Sequence, residues 1–254
     1  RTLSSDRDRK MTILLTPFMS CSAKIPVYAV FAAAFFKNSA LVMSVLYFGG
    51  MAVGVIMALI MGKTTFRGNP VPFVMELPNY RLPSAVSVFR LMWDKAKDFV
   101  ARAFTIIFLA TILIWILENF DSRLNMVTDS SQSLLAAIGK VVAPIFAPLG
   151  FDDWRIATSL IAGFTAKEAV VSTMGVLLGT SMSNLSAVLP QYFTLPTACA
   201  FLTFTLLYTP CVAAIATIKR ELGSRWQTLL VILMQCSVAW IAAYIVHTVA
   251  MMLG

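Results

Sequence analysis

Apolar residues along this chain fall in long runs, not in alternation. Residues 40–62 carry no charge over 23 positions, and residues 226–252 hold no Asp, Glu, Lys or Arg. A helix needs roughly 20 apolar residues to cross a hydrocarbon core of about 30 Å, so both runs predict spanning helices. Residues 11–36 are free of charge except at Lys24, and Pro17 and Pro26 bracket the segment around it. Proline removes a helical hydrogen bond and clashes with the preceding turn, so this run predicts two half-helices with an unwound middle. Non-helical backbone at membrane depth survives only where protein or water satisfies its polar groups.

Residues 63–102 break the apolar pattern. Val86, Phe89, Trp93, Ala96 and Val100 recur there at three- and four-residue spacing, which predicts an amphipathic helix at the membrane surface. It leads into an uncharged run, Ala103–Leu117, that ends at Glu118. Residues 119–132 are polar and read as a loop. Residues 133–150 are apolar but contain Lys140, Pro144 and Pro148, which fits a short span or a re-entrant segment. Ile156–Gly179 is apolar with Lys167 and Glu168 in its middle. From Ala169 to Ile218 there are 50 residues without Asp, Glu, Lys or Arg. That is about 75 Å of helix, too long for one span, and SMSNLSAVLPQ interrupts it, leaving residues 195–217 as another span. The expected fold is all-α and polytopic, with six to seven spans and broken or re-entrant helices.

Composition narrows the class. Of 254 residues, 59% are hydrophobic and 13% charged, and the mean hydropathy is +0.81. Soluble domains carry about 25% charged residues, so a soluble globular or disordered chain is excluded. The net charge of +8 sits in the connections, where the positive-inside rule accounts for it without nucleic acid. Residues 63–102 hold seven basic and three acidic residues and residues 119–132 one basic residue, which predicts a cytoplasmic first loop and an external second one. Cys21, Cys199, Cys211 and Cys236 form no CxxC pair, so a zinc or redox motif lacks support. His247 reads as a packed or interfacial residue. GKT at Gly62–Thr64 lacks the first glycine of a P-loop, since position 57 is Met57, and it follows a spanning helix instead of a strand. No nucleotide site and no catalytic residue are assigned.

Three constellations carry candidate chemistry. MSCSAKIPVY (Met19–Tyr28) and YTPCVAAIATIKRE (Tyr208–Glu221) each place a cysteine beside a proline-disturbed helix. Discontinuous helices expose carbonyls and helix ends that suit ions, sulfur favours softer metals over Na⁺, Mg²⁺ or Ca²⁺, and ferrous iron is compatible with mixed thiolate, hydroxyl and carbonyl ligation. Packed cysteines beside kinks fit the same pattern. The third is GFTAKEAVVSTMG (Gly163–Gly175). Charges inside an apolar run are costly unless they face a cavity or a partner. Glu168 fits a cation or proton role, and equally a structural pairing with another helix through Lys24.

These segments, with ELPNYRLP at Glu76–Pro83, resemble in order the membrane half of the bacterial ferrous iron transport protein B family, FeoB, over almost the whole chain. Arg1–Arg9 is similar to the link after that family's first Gate-type repeat. The resemblance implies a central membrane region at residues 1–62, a cytoplasmic loop and amphipathic helix at 63–102, and a second Gate-type repeat with terminal spans at 103–254. It implies that Cys21 and Cys211, flanked by Ser20 and Ser22, line an Fe²⁺ path with Glu168, supported by Lys24 and Lys167. Fe²⁺ is then the transported substrate, and no cofactor is bound in this chain. GTP and Mg²⁺ belong to an N-terminal GTPase domain, which is absent from this sequence together with the first Gate repeat. The chain begins at Arg1 and reads as a piece of a longer polypeptide. Implied partners are those absent parts, the lipid bilayer, small Feo accessory proteins and a homo-oligomer. The implied location is the bacterial inner membrane. Two other classes stay open: a Gate-type transporter for nucleosides or other solutes, marked by convergent amide and aromatic groups, and a scaffold that anchors a G-protein domain.

Overall fold

The computed structural model of the chain describes residues 6–64, 83–123, 125–127, 129–208 and 211–253. ELPNYRLP lies outside them except for Pro83, as do Thr209 and Pro210. Among the described residues every extended element is a helix, and the β contact is an isolated bridge between Phe120 and Met126. The protein is all-α, as expected.

Helix α1 (Asp6–Leu15) passes through a 3-10 turn at Thr16–Phe18 into extended backbone at Met19 and Cys21. A second 3-10 turn at Ser22–Lys24 then leads into α2 (Ile25–Phe35). Pro17 and Pro26 each stand in the first turn of the piece that follows, where a missing N–H loses no helical bond. The unwound middle expected from the sequence is therefore present. Helix α3 (Ser39–Lys63) is continuous and ends in the GKT sequence.

Helix α4 (Ala85–Arg102) runs through a π turn at Ala103–Ile107 into α5 (Phe108–Asn119). The loop that follows is shaped by Asp121, whose carboxylate accepts the backbone N–H of Arg123 at 2.7 Å and of Asn125 at 3.0 Å. Helix α6 (Leu134–Val142) begins at Ser133, whose hydroxyl accepts the Ala136 N–H. A 3-10 stretch, Ala143–Leu149, extends it, and the chain then bends by 106° into α7 (Trp154–Ala162). Gly150 makes that bend at φ +81°, and a Cβ on it would lie 2.8 Å from His247 Nε2. His247 is thus a packed residue.

Helices α8 (Ala169–Leu177), α9 (Leu185–Val188), α10 (Leu195–Leu207), α11 (Val212–Leu222) and α12 (Arg225–Leu253) complete the chain. Two apolar runs differ from the sequence reading. Residues 156–179 do not form a helix with Lys167 and Glu168 inside it. Helix α7 stops at Ala162 because Gly163 turns there, in a space so tight that a Cβ would lie 2.7 Å from the Tyr208 hydroxyl. Residues 195–217 are also discontinuous: α10 ends at Leu207 and α11 starts at Val212. Pro210 falls in this gap, where a proline cannot continue the hydrogen-bond ladder.

Among the described residues four stretches are long and apolar enough to cross a bilayer: Arg7–Phe35, Ser39–Lys63, Leu195–Leu222 and Arg225–Leu253. The bent pair α6–α7 raises the number to five if it counts as one span, and α5 is a shorter apolar helix. The six to seven spans of the sequence reading included residues 103–117 and 156–179, which here form short helices.

The core lies where α2, α10 and the α9–α10 connection meet. Phe31 stacks on Phe201 at 4.7 Å between ring centroids and meets Phe193 edge-on at 5.1 Å. Such pairs add about 0.5–1.5 kcal/mol beyond burial. Helix α12 lies along α10. Gly50 of α3 lets that helix approach closely, since a Cβ there would lie 3.0 Å from the Phe18 carbonyl and 3.1 Å from Leu206 Cδ1.

Candidate functional site

Three interruptions meet at one place: between α1 and α2, at residues 163–168 between α7 and α8, and between α10 and α11. A helix end leaves peptide groups without intrahelical partners, and here each interruption supplies partners for another. Lys24 Nζ donates to the Leu206 carbonyl, near the end of α10, at 2.6 Å. The Val212 N–H, at the start of α11, donates to the Phe164 carbonyl at 2.9 Å. Lys167 Nζ lies 2.9 Å from the centroid of the Tyr208 ring. Lys24 is 3% and Lys167 2% exposed. Both ammonium groups thus stand where α10 ends, at the negative pole of its backbone dipole.

A cavity of about 560 Å³ opens among these interruptions. Cys21, Lys24, Lys167, Glu168 and Cys211 all line it. Ser20 is half-buried and Ser22 exposed, and neither lines it. Cys21 and Cys211 occupy equivalent positions. Each is the extended residue just before a helical segment, Cys21 at φ −99°, ψ 160° and Cys211 at φ −62°, ψ 162°. Each sulfur therefore stands at the N-terminal, positive end of a helical piece. Both are free thiols, Cys21 exposed and Cys211 half-buried.

Lys167 and Glu168 have separate surroundings. Lys167 is buried against Tyr208, whereas Glu168 is exposed as the residue preceding α8. Among the described residues no ion pair joins Glu168 to Lys24, so the structural pairing open from the sequence is not the one adopted.

The cavity wall also holds groups that the sequence reading passed over. Thr16, Thr165 and Thr217 line it, and their hydroxyls donate to the carbonyls of Thr12 at 2.7 Å, Ala162 at 2.7 Å and Ala213 at 3.1 Å. With the proton engaged, the hydroxyl oxygen keeps acceptor lone pairs. Met19 and Glu221 line the wall as well. Thr16 and Thr165 stand beside helix breaks, Thr217 lies inside α11, and Glu221 was hidden in the short basic connection Lys219–Arg225. Among the described residues no three of His, Cys, Asp and Glu gather closely enough for a metal centre. The donors are spread along the wall, an arrangement suited to weak, successive coordination more than to a closed site.

Comparison with known proteins gives the family. Residues 100–225 match the Gate family, described as nucleoside recognition, and residues 43–95 match the family described as ferrous iron transport protein B C terminus. A protein named Fe(2+) transporter FeoB from Methanocaldococcus jannaschii is 37% identical over 262 residues, covering 100% of this chain and 38% of that protein. One of the same name from Campylobacter jejuni is 38% identical over 260 residues, covering 96% of this chain and 42% of its own length. A protein from Porphyromonas gingivalis, named Fe(2+) transport protein A/Fe(2+) transporter FeoB fusion protein, is 35% identical over 99% of this chain and 36% of its own length. The chain thus spans only about two-fifths of the length of these relatives. No solved structure matches it. With two family matches in tandem and relatives alike along nearly its whole length, the chain belongs to the FeoB family and corresponds to its C-terminal membrane portion.

Proposed function

We propose that this chain forms the membrane-pore portion of a GTP-dependent importer of ferrous iron, in which GTP is hydrolysed by another part of the parent polypeptide. The observation that carries the reading is the convergence of three interrupted helices on one cavity lined by Cys21 and Cys211. Hydrated Fe²⁺ sheds water there in steps, and sulfur with nearby oxygens replaces it. Two buried lysines would repel a dication. Their engagement with the Leu206 carbonyl and the Tyr208 ring directs them toward the end of α10, and Glu168 and Glu221 on the wall offset their charge. The sulfurs of Cys21 and Cys211 face the same space and would meet the ion as ligands. Glu168, exposed on the wall, is the carboxylate we assign to the path. Relatives named as Fe(2+) transporters support iron as the substrate, and the fusion protein supports a small Feo accessory partner. The inner membrane of a bacterium is the proposed location.

Among the described residues the wall contains no aromatic, Asn or Gln side chain, which argues against the nucleoside alternative despite the Gate description. The scaffold alternative differs in what it requires: it leaves both cysteines dispensable. The test is Fe²⁺ uptake by the full-length parent carrying Cys21→Ala and Cys211→Ala together. Loss of uptake with the protein still in the membrane supports the path, and uptake at the unaltered rate and selectivity overturns it.

A further inference from the structure

Helix α4 carries a charge arrangement that the iron path does not use. At about 100° per residue, Phe89, Met92, Trp93, Ala96, Phe99 and Val100 fall within one arc of about 120°. Arg90 and Lys97 stand at one border of that arc and Lys95 at the other. Asp94 and Asp98 occupy the middle of the opposite face, and Leu91 is the apolar exception there. Every described side chain of α4 is exposed, with Phe89 at 71% and Trp93 at 72%.

We propose that α4 is a binding surface for anionic phospholipid, seated with its aromatic arc at the boundary of headgroups and acyl chains. The borders carry the argument. A lysine or arginine beside an apolar arc lays its methylenes along acyl chains and lifts its charge into the phosphate layer. Carboxylates are kept farthest from that layer, on the water side. A tryptophan within the arc fits the same depth. A protein groove would cover the aromatic arc without requiring basic groups on both of its borders and acids opposite. Continuity adds a second argument: α4 passes without a gap through the π turn into apolar α5, so its end is held at the membrane. The last residue of that turn, Ile107, lines the iron cavity, so the lipid surface connects to the cavity wall through five residues, Ala103–Ile107.

The test uses the full-length parent in vesicles of phosphatidylcholine, with and without an equal part of phosphatidylglycerol. The fluorescence lost on Trp93→Phe isolates the Trp93 signal. Quenching of that signal by lipids brominated near the headgroup, stronger with phosphatidylglycerol, is the expected result. Reversing Arg90, Lys95 and Lys97 to Glu removes the phosphatidylglycerol dependence, since each basic residue contributes about fivefold to partitioning onto an anionic surface. Quenching by aqueous acrylamide alone overturns the proposal in favour of a solvated helix. Protection from both quenchers overturns it in favour of a protein partner over the arc. Quenching by brominated lipid that is indifferent to phosphatidylglycerol overturns the anionic specificity.

Discussion

Cysteine and serine differ by one atom, so exchanging them at residue 21 or 211 separates chemistry from packing. If sulfur meets Fe²⁺, Cys21→Ser and Cys211→Ser in the full-length parent each lower Fe²⁺ uptake, and Fe²⁺ loses more than Mn²⁺ because the softer ligand favours iron. Competition uptake with both metals, alongside membrane abundance, reads this out. Glu168→Gln is expected to lower uptake and leave abundance unchanged, since the side chain is exposed on the cavity wall and forms no ion pair among the described residues. Lys24→Met is expected to act differently. It leaves the Leu206 carbonyl buried without its donor, which costs about 1–3 kcal/mol, so abundance and thermal stability fall first. At this scale the sequence was partly legible. Cysteines beside prolines and charges in apolar runs are costly enough to stand out, and they do line the cavity. Threonines with engaged hydroxyl protons look like any apolar-helix threonine. Nothing in the sequence signalled that Ser20 and Ser22 lie off the wall, because a residue's side depends on the turn geometry of Met19–Lys24.

Helix α3 forms the wall against which two interruptions rest. Its neighbouring glycines differ sharply in surroundings. A Cβ on Gly50 would press on the Phe18 carbonyl and on Leu206, whereas a Cβ on Gly49 would meet nothing within 4 Å. Gly50→Ala is therefore expected to destabilise by about 1–3 kcal/mol through overpacking, with reduced uptake, because Phe18 and Leu206 flank the breaks that hold Cys21 and Cys211. Gly49→Ala is expected to be silent in both. Thermal unfolding in detergent distinguishes the pair. Long apolar runs such as α3 and α12 were legible because hydropathy alone sets their length. The break at residues 163–168 was not, since no proline marks it and its cause is a tertiary one: Tyr208 and Val170 leave room for a glycine at 163 and nothing larger.

At the scale of the whole molecule, charge asymmetry between connections sets the expected topology. Seven basic residues in 63–102 against one in 119–132 predict a cytoplasmic first connection and an external second one. Cysteines introduced at Ser87 and Ser130, treated with an impermeant reagent in intact cells, should label at residue 130 only. Labelling at residue 87 reverses the orientation. The chain alone is expected to insert in a bilayer and to transport no iron, since it spans about two-fifths of its relatives and contains a single Gate match. Liposome uptake by this fragment is the check. Membrane class and helical architecture were legible from composition and run length. How short helices combine into spans was not, because a helix shorter than the roughly 20 residues a bilayer requires gains its place from neighbours and not from its own hydropathy.

The partners shared among the three interruptions carry a mechanical consequence. Lys24 ties the first to the end of α10, while the Val212 N–H and Lys167 both tie the second to the break between α10 and α11. The break between α10 and α11 is the joint that the other two share, so movement there strains the contacts of both. The expected consequence is a single concerted opening, in which the cavity switches between few states in place of widening by degrees. Its signature is non-additivity. In a double-mutant cycle of Lys24→Met and Lys167→Met, the combined loss of stability should depart from the sum of the single losses by 0.5 kcal/mol or more, on the order expected for residues in one network. Additive losses would instead describe three hinges that happen to be neighbours.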